Sequence, residues 1–341
     1  LIERKILAQP AESQVHLSTD DVRIMYEAKC LDQNLKPTWE REVRFMELLS
    51  ANCKGTSFCL KENGLGSTCA EAIAHCLANN ENYALLDLGG NRLRDQGAAS
   101  MAQLLEANTS LVHMSLKSND VGHDGGEAIA EALMINNTLT SLDLGGISGI
   151  NRNHLGSKGM GRMLCTNQVL AYLNVSSNGL GADGLSQLAN GLENNGTLTH
   201  LDLSSNNLGH EGCKQLASVV ESTSIETLLL QRNGMGDLGC KDICEAMAKS
   251  TEAGQETVTR LYLDDNGIGE LGSHYLSQFV SNSYHLKVLR LNDNPLGAGA
   301  HELADGIKDN KNLVELSLSN CQLRSPEATA IAKALAGNRS L

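Results

Sequence analysis

The stretch Leu198-Thr-His-Leu201-Asp-Leu203-Ser-Ser-Asn206-Asn-Leu208-Gly returns with small changes along most of the chain. Its Asn recurs at Asn63, Asn91, Asn119, Asn153, Asn178, Asn206, Asn233, Asn266 and Asn294, with Cys321 in tenth place, and most steps are 27 or 28 residues. That period constrains the fold more than any other feature, because it leaves room for one short strand, one loop and one helix per unit. Leu201 and Leu203 alternate with Asp202, the signature of a strand that buries one side. Cys213, Leu216, Ala217 and Val220 then stand at i, i+3, i+4 and i+7, as do Ala98, Met101, Ala102 and Leu105, so the second half of each unit reads as an amphipathic helix.

A lone strand and helix cannot cover their own apolar faces, so such units must stack on their neighbours. The expected fold is an α/β solenoid of about ten repeats, a horseshoe with a parallel sheet on the concave face and helices on the convex face. The repeated Asn sits where the chain leaves the strand, and its amide can donate to and accept from backbone groups that no ladder satisfies. It is read as structural and given no catalytic role.

The segments LTSLDL, LAYLNVSSNGLG, LTHLDLSSNNLG and VTRLYLDDNGIG make residues 57–341 resemble the ribonuclease-inhibitor-like class of leucine-rich repeat proteins. That class includes ribonuclease inhibitors, activators of the GTPase Ran, innate immune sensors and ciliary scaffold subunits, so the resemblance implies a fold and leaves the function open. Residues 1–56 are expected to form an N-terminal helical cap. One helix there buries Val22, Met25, Tyr26 and Cys30, and a second, capped by Thr38, carries Trp39, Val43, Met46 and Leu49. A helical pair ahead of such repeats resembles some ciliary members of the class. At the other end Leu341 stands where an eleventh unit would begin, with no polar capping segment, so the repeat domain is expected to continue or to be covered by a partner.

Charge and composition exclude several functions. The chain carries 27 Lys and Arg against 40 Asp and Glu, a formal net charge of −13 that repels nucleic-acid phosphates and anionic lipid surfaces. No apolar run approaches a membrane span. The 10 cysteines contain no CxxC pair and are expected to be reduced and buried. Five Asn-x-Ser/Thr sequons, at Asn108, Asn136, Asn174, Asn195 and Asn338, are expected by chance in a chain this rich in those residues.

Enzymatic signals are weak. There is no Gly-Lys dipeptide and hence no phosphate-binding loop. HELAD at 301–305 has Asp305 where a zinc site needs its second His, and Cys240 with Cys244 lack a completing ligand. No Ser, Cys or Thr stands in a motif that supplies a base. No enzyme activity, cofactor, metal or small-molecule substrate is expected.

A protein partner is expected instead, on an exposed strand position between the two Leu residues of each unit. Ten strands at ~4.8 Å spacing offer a face roughly 45 Å long. The position reads Cys59, Asp87, Ser115, Asp143, Asn174, Asp202, Leu229, Tyr262, Arg290 and Ser317. Its later part, with Leu229, Arg232, Arg260, Tyr262, Asp264, Asp265, Arg290 and Asp293, combines the residue types that dominate interfaces. An insertion carrying Ile147, Ile150 and Arg152 is a second candidate contact, at the rim. A further insertion around 251–259 is expected to be solvated. These features fit a scaffold within a multi-subunit cytoplasmic assembly, cytoskeletal or ciliary. The alternatives are a GTPase-activating regulator using Arg92, Arg94, Arg152 or Arg232, or the sensor domain of an immune receptor.

Overall fold

The computed structural model describes residues 15–146, 157–252 and 257–341. It forms two compact units, one ending at Gly159 and the other starting at Met160.

The first unit opens with α1 (Thr19–Asp32) and α2 (Trp39–Asn52). Ser18 caps α1 by accepting from the Asp21 N–H, while the Asp21 carboxylate accepts the Ser18 N–H in return. The Tyr26 hydroxyl donates to the Thr38 carbonyl at 2.8 Å and accepts its N–H at 2.7 Å, which fixes the turn between the helices. Helix α1 buries Val22, Met25, Tyr26 and Cys30 as expected. Helix α2 differs from the expected face. It buries Phe45 and Leu49, with Val43 and Met46 only partly covered, and Trp39 is 64 % exposed. Phe45 takes the place of Trp39 because its ring lies 6.1 Å from that of Tyr26, one turn from Leu49 on the same face.

A short strand β1 (Cys53–Lys54) follows and pairs antiparallel with β2 (Ser57–Cys59). Then come α3 (Ser67–Leu77), β3 (Leu85–Asp87), α4 (Arg94–Ala107), β4 (His113–Ser115), α5 (His123–Leu133) and β5 (Ser141–Asp143). Strands β2 to β5 are parallel and in register, so that Phe58, Leu86, Met114 and Leu142 form one buried row.

The second unit repeats this alternation: α6 (Ser157–Thr166), β6 (Tyr172–Asn174), α7 (Gly181–Leu192), β7 (His200–Asp202), α8 (Gly209–Val220), β8 (Thr227–Leu229) and α9 (Gly236–Glu252). It continues with β9 (Arg260–Tyr262), α10 (Glu270–Asn282), β10 (Val288–Arg290), α11 (Ala300–Asp309), β11 (Glu315–Ser317) and α12 (Ser325–Gly337). Its strands too are parallel and in register, from Leu173 against Leu201 through to Leu289 against Leu316. In both units successive helices pack on one another behind the sheet. The core lies between the layers: Leu201, Leu203, Cys213, Leu216 and Val220 of one repeat are all buried.

The repeated Asn does what its position predicts. Asn206 donates to the carbonyls of Leu203 in its own repeat and Val175 in the preceding one, and accepts the Asn178 N–H at 2.9 Å. Asn233, Asn266 and Asn294 repeat the pattern. Cys321 keeps only part of it, donating its thiol to the Leu291 carbonyl.

A second ladder runs along the helix ends. Asn108, Asn136, Asn195, Asn310 and Asn338 each donate to a terminal helix carbonyl of the preceding repeat, as Asn108 does to Leu77 at 2.8 Å. Each also accepts the N–H groups two and three residues on, which for the first four lead into the next strand. Its trace in the sequence is an Asn placed three residues before the first Leu of a unit, as in Asn108 and Leu111. Of the five sequons, those at Asn108, Asn136, Asn174 and Asn195 centre on buried side chains.

Helix starts are capped from the neighbouring helix. The Asp237 carboxylate accepts the N–H groups of Gly269 and Gly272 at 2.6 and 2.9 Å, and Asp95 does the same for Gly122 and Gly125. A Cβ on Gly272 would stand 2.5 Å from the Ile268 side chain and 2.7 Å from this carboxylate oxygen, so only Gly fits beneath it. Asp237→Ala is expected to cost about 1–2 kcal/mol, the usual worth of a lost N-terminal cap. A urea midpoint equal to the wild type would show that solvent replaces the carboxylate.

All 10 cysteines are free thiols, but they are not uniformly buried. Cys165 is exposed on the last turn of α6, and Cys59 and Cys76 are half-buried. Burial pushes the thiols of Cys53, Cys69 and Cys213 up to about 12, which keeps them neutral and unreactive. Cys240 and Cys244 lie 4.0 Å apart within the core of α9.

Among the described residues, no helix is long and apolar enough to cross a membrane.

Candidate functional site

The parallel register of β8 to β11 sets Leu229, Tyr262, Arg290 and Ser317 in one continuous row on the open face of the second unit's sheet. Each is partly exposed, because alternation along the strand sends the flanking Leu228 and Leu230, or Leu261 and Leu263, into the core. The Arg290 guanidinium carbon lies 5.7 Å from the centre of the Tyr262 ring, a cation–π stack between adjacent repeats. Its Nε faces the Glu315 carboxylate at 3.4 Å, and the geometry there makes no hydrogen bond.

The remaining predicted residues of this cluster surround the row. Arg260, at the start of β9, is exposed and meets no carboxylate among the described residues. Arg232 projects from the loop after β8, in the left-handed conformation at φ 56°, and pairs with Asp265 at 3.4 Å. Asp264 is partly drawn into the fold: its carboxylate accepts the Asn292 N–H of the next repeat at 2.9 Å. Asp293 is exposed and accepts from the Asn320 side chain at 2.8 Å. The structure therefore brings Leu229, Arg232, Arg260, Tyr262, Asp264, Arg290 and Asp293 onto neighbouring strands and loops of one unit.

The rest of the predicted row is less available than expected. Asn174 and Ser115 are 4 % and 8 % exposed, so they are not solvent-facing. Asn174 turns its carbonyl oxygen onto the Ser176 N–H, two residues on. Asp87, Asp143 and Asp202 use one carboxylate oxygen in the same way, on Gly89, Gly145 and Ser204. This acidic set is a series of local turn caps, a role the sequence reading missed although the x-Asp-x-Gly and x-Asp-x-Ser spacings carried it.

Ile147, Ile150, Arg152 and Asn153 lie outside the described residues. The second insertion is only partly so. Thr257 and Thr259 donate their hydroxyls to the carbonyls of Thr223 and Glu226, and Val258 is buried. That part is tied to the preceding repeat where solvation was expected: the Glu226 carbonyl accepts the N–H groups of Thr259 and Arg260 as well as the Thr259 hydroxyl.

Three of the 10 histidines bridge neighbouring helices. His210 meets Asp242 at 2.9 Å, His301 meets Glu327 at 3.5 Å, and His274 meets Glu302. His301 and Glu302, the first two residues of HELAD, thus turn to different neighbouring helices. Among the described residues no group of three or more His, Cys, Asp or Glu is placed to hold a metal. Of the loop arginines, Arg94 pairs with Asp120 at 3.7 Å, an exposed contact of the same kind as Arg232 with Asp265.

Comparison with known proteins gives the same architecture. The family description "Leucine Rich repeat" matches residues 107–130, 166–189, 194–217 and 221–244, and "Leucine Rich Repeat" matches 312–333. Over 334 residues, 96 % of this chain, the sequence is 29 % identical to human NACHT, LRR and PYD domains-containing protein 5, of which it spans 23 %. Its identity to the mouse protein of that name is also 29 %, over 52 % of this chain and 15 % of the relative. The chain thus spans less than a quarter of the length of these curated relatives. A solved structure, the leucine-rich repeat-containing protein LegL7 from Legionella pneumophila, is similar over 84 % of this chain and 92 % of its own at 18 % identity, with a TM-score of 0.48. With the Asn-pinned repeats, the parallel sheets and the helix behind each strand, the chain has the leucine-rich repeat fold, and its units fit the ribonuclease-inhibitor-like class.

Proposed function

We propose that this chain is a non-enzymatic protein-interaction module whose contact surface is the sheet face of the second unit, centred on Tyr262 and Arg290. The observation that carries this reading is the in-register row of Leu229, Tyr262 and Arg290 with the guanidinium stacked at 5.7 Å on the ring. A rigid aromatic beside an Arg is the composition of a binding hot spot. The exposed ion pairs of Arg232 and Arg290 contribute little to the fold, at most about 1 kcal/mol each, so a partner carboxylate can replace Asp265 or Glu315 at small cost. Six strands at ~4.8 Å spacing span roughly 24 Å, enough for a folded partner. The finer placement, a structural subunit of a cytoskeletal or ciliary assembly, draws support only from the helical pair ahead of the repeats.

The test is a double variant, Tyr262→Ala with Arg290→Glu. It is expected to weaken capture of a partner identified by crosslinking mass spectrometry in native extract by about 30-fold or more, since hot-spot losses are ~2 kcal/mol or greater. Its melting curve should match the wild type, because both side chains are partly exposed. Undiminished capture by the double variant would remove these residues from the contact surface.

A second reading makes the module the ligand-sensing repeat segment of a larger receptor. It is favoured by the alignment of 96 % of the chain with a relative named for its NACHT and PYD domains as well as its repeats. Sequencing the complete transcript tests it: a nucleotide-binding domain in the same reading frame supports it, and a frame without one removes it.

A further inference from the structure

Helices α1 and α2 enclose a groove of about 320 Å³ on the first unit, away from the sheet. Its floor is apolar, formed by Leu35, Phe45 and Leu48, with Leu35 40 % exposed. Its rim is cationic. Lys29, Arg41 and Arg44 line it, and no Asp or Glu does among the described residues. Lys29 places its ammonium 5.5 Å from the centre of the Phe45 ring, and none of the three cations pairs with a carboxylate among the described residues. Arg41 spends one guanidinium nitrogen on the Lys36 carbonyl.

In a chain with net charge −13, an apolar groove lined by three cations and, among the described residues, by no carboxylate is selective for one kind of occupant. Burial already holds the Lys29 ammonium below its usual range, so an arriving carboxylate would stabilise its charged form. Nonspecific apolar ligands gain nothing from the rim, and basic ones are repelled by it.

We propose that this groove binds an acidic amphipathic segment of a protein partner, which sets a Leu or Phe side chain against Leu35, Phe45 and Leu48 and its carboxylates against Lys29, Arg41 and Arg44. The site is separate from the sheet face and does not rest on it. The amphipathic helix-in-groove mode provides both contacts, with apolar anchors one turn apart and acids on either flank.

The test uses the full chain and a labelled four-turn peptide with Leu and Phe on one helical face and Glu and Asp elsewhere. Controls carry Lys and Arg for the acids, or Ala for Leu and Phe. By fluorescence anisotropy the acidic peptide is expected to bind saturably, at least about tenfold more tightly than either control, and to weaken as salt shortens the range of the charges. The Arg41→Glu/Arg44→Glu variant changes two exposed side chains, keeps the wild-type melting curve, and should lose about tenfold or more in affinity. Equal binding of the acidic and basic peptides, no saturable binding, or an unchanged affinity in the charge-reversed variant overturns the proposal. Sedimentation velocity adds a further arm: self-association that the same variant abolishes would assign the groove to a second copy of the chain and equally overturn it.

Discussion

Replacing Leu203 by Asp is expected to abolish cooperative unfolding of the second unit. Leu203 is fully buried beneath β7, between the sheet and the helices. Truncating such a Leu to Ala already costs about 2–5 kcal/mol, and an Asp adds the desolvation of a charge with no partner in reach. Against a typical stability of ~5–15 kcal/mol the sum consumes most of the margin. Each repeat is stabilised mainly by its neighbours, so the damage spreads along the stack. Far-UV circular dichroism on heating should show a broad, low transition. Asp202→Ala, one residue away, serves as the control: Asp202 is half-exposed and contributes one hydrogen bond to Ser204, so about 1 kcal/mol is expected. If both variants melted alike, the inward register of Leu203 would be wrong.

The second large effect is expected at Asn206. Asn206→Ala removes the acceptor of the buried Asn178 N–H and the donor to the carbonyls of Val175 and Leu203 in one step. The Leu203 carbonyl keeps the Asn233 amide, so two buried groups, the Asn178 N–H and the Val175 carbonyl, lose this partner; at about 1–3 kcal/mol each, a loss of roughly 2–6 kcal/mol is expected in urea unfolding. Hydrogen exchange locates it, since the Asn178 amide should lose its protection first. Asn206→Asp keeps the acceptor but cannot donate to either carbonyl, and Asn206→Cys can donate weakly but cannot replace the acceptor, as at Cys321. The Cys variant should fall between Ala and wild type, whereas the Asp variant, which buries a carboxylate against two carbonyl oxygens, should be at least as unstable as Ala. A fully stable Ala variant would mean that water occupies the amide's place.

Much of this architecture was legible in the residues. The inward Leu pairs, the helical faces of Cys213 to Val220 and Ala98 to Leu105, and the Asn at each strand exit follow from periods of 2, 3.6 and about 28. What was misread shares one cause. Trp39 is a large apolar residue at a suitable helical position, yet Phe45 is the residue that meets Tyr26. Asp87, Asp143 and Asp202 read only as exposed positions of the strand row, yet each spends an oxygen on its own turn. Asn108, Asn136 and Asn195 read as parts of chance sequons, with which their burial agrees; that they bind carbonyls one repeat away is what the linear pattern left unread.

The candidate contact surface divides in the same way. Tyr262 and Arg290 could be placed on a common exposed row from the repeat alone, because a fixed period maps equal positions onto adjacent strands. Their stacking, the diversion of Asp264 to Asn292, and the pairing of Arg232 with Asp265 depend on side-chain directions between repeats. The cationic groove between α1 and α2 lies where no repeat gives a register. The sequence by itself determined which residues turn inward and how often the unit recurs, since those follow from backbone periodicity. Only the tertiary structure decided which polar groups remain free for a partner, because a hydrogen bond to a neighbouring repeat depends on distances that no linear pattern encodes.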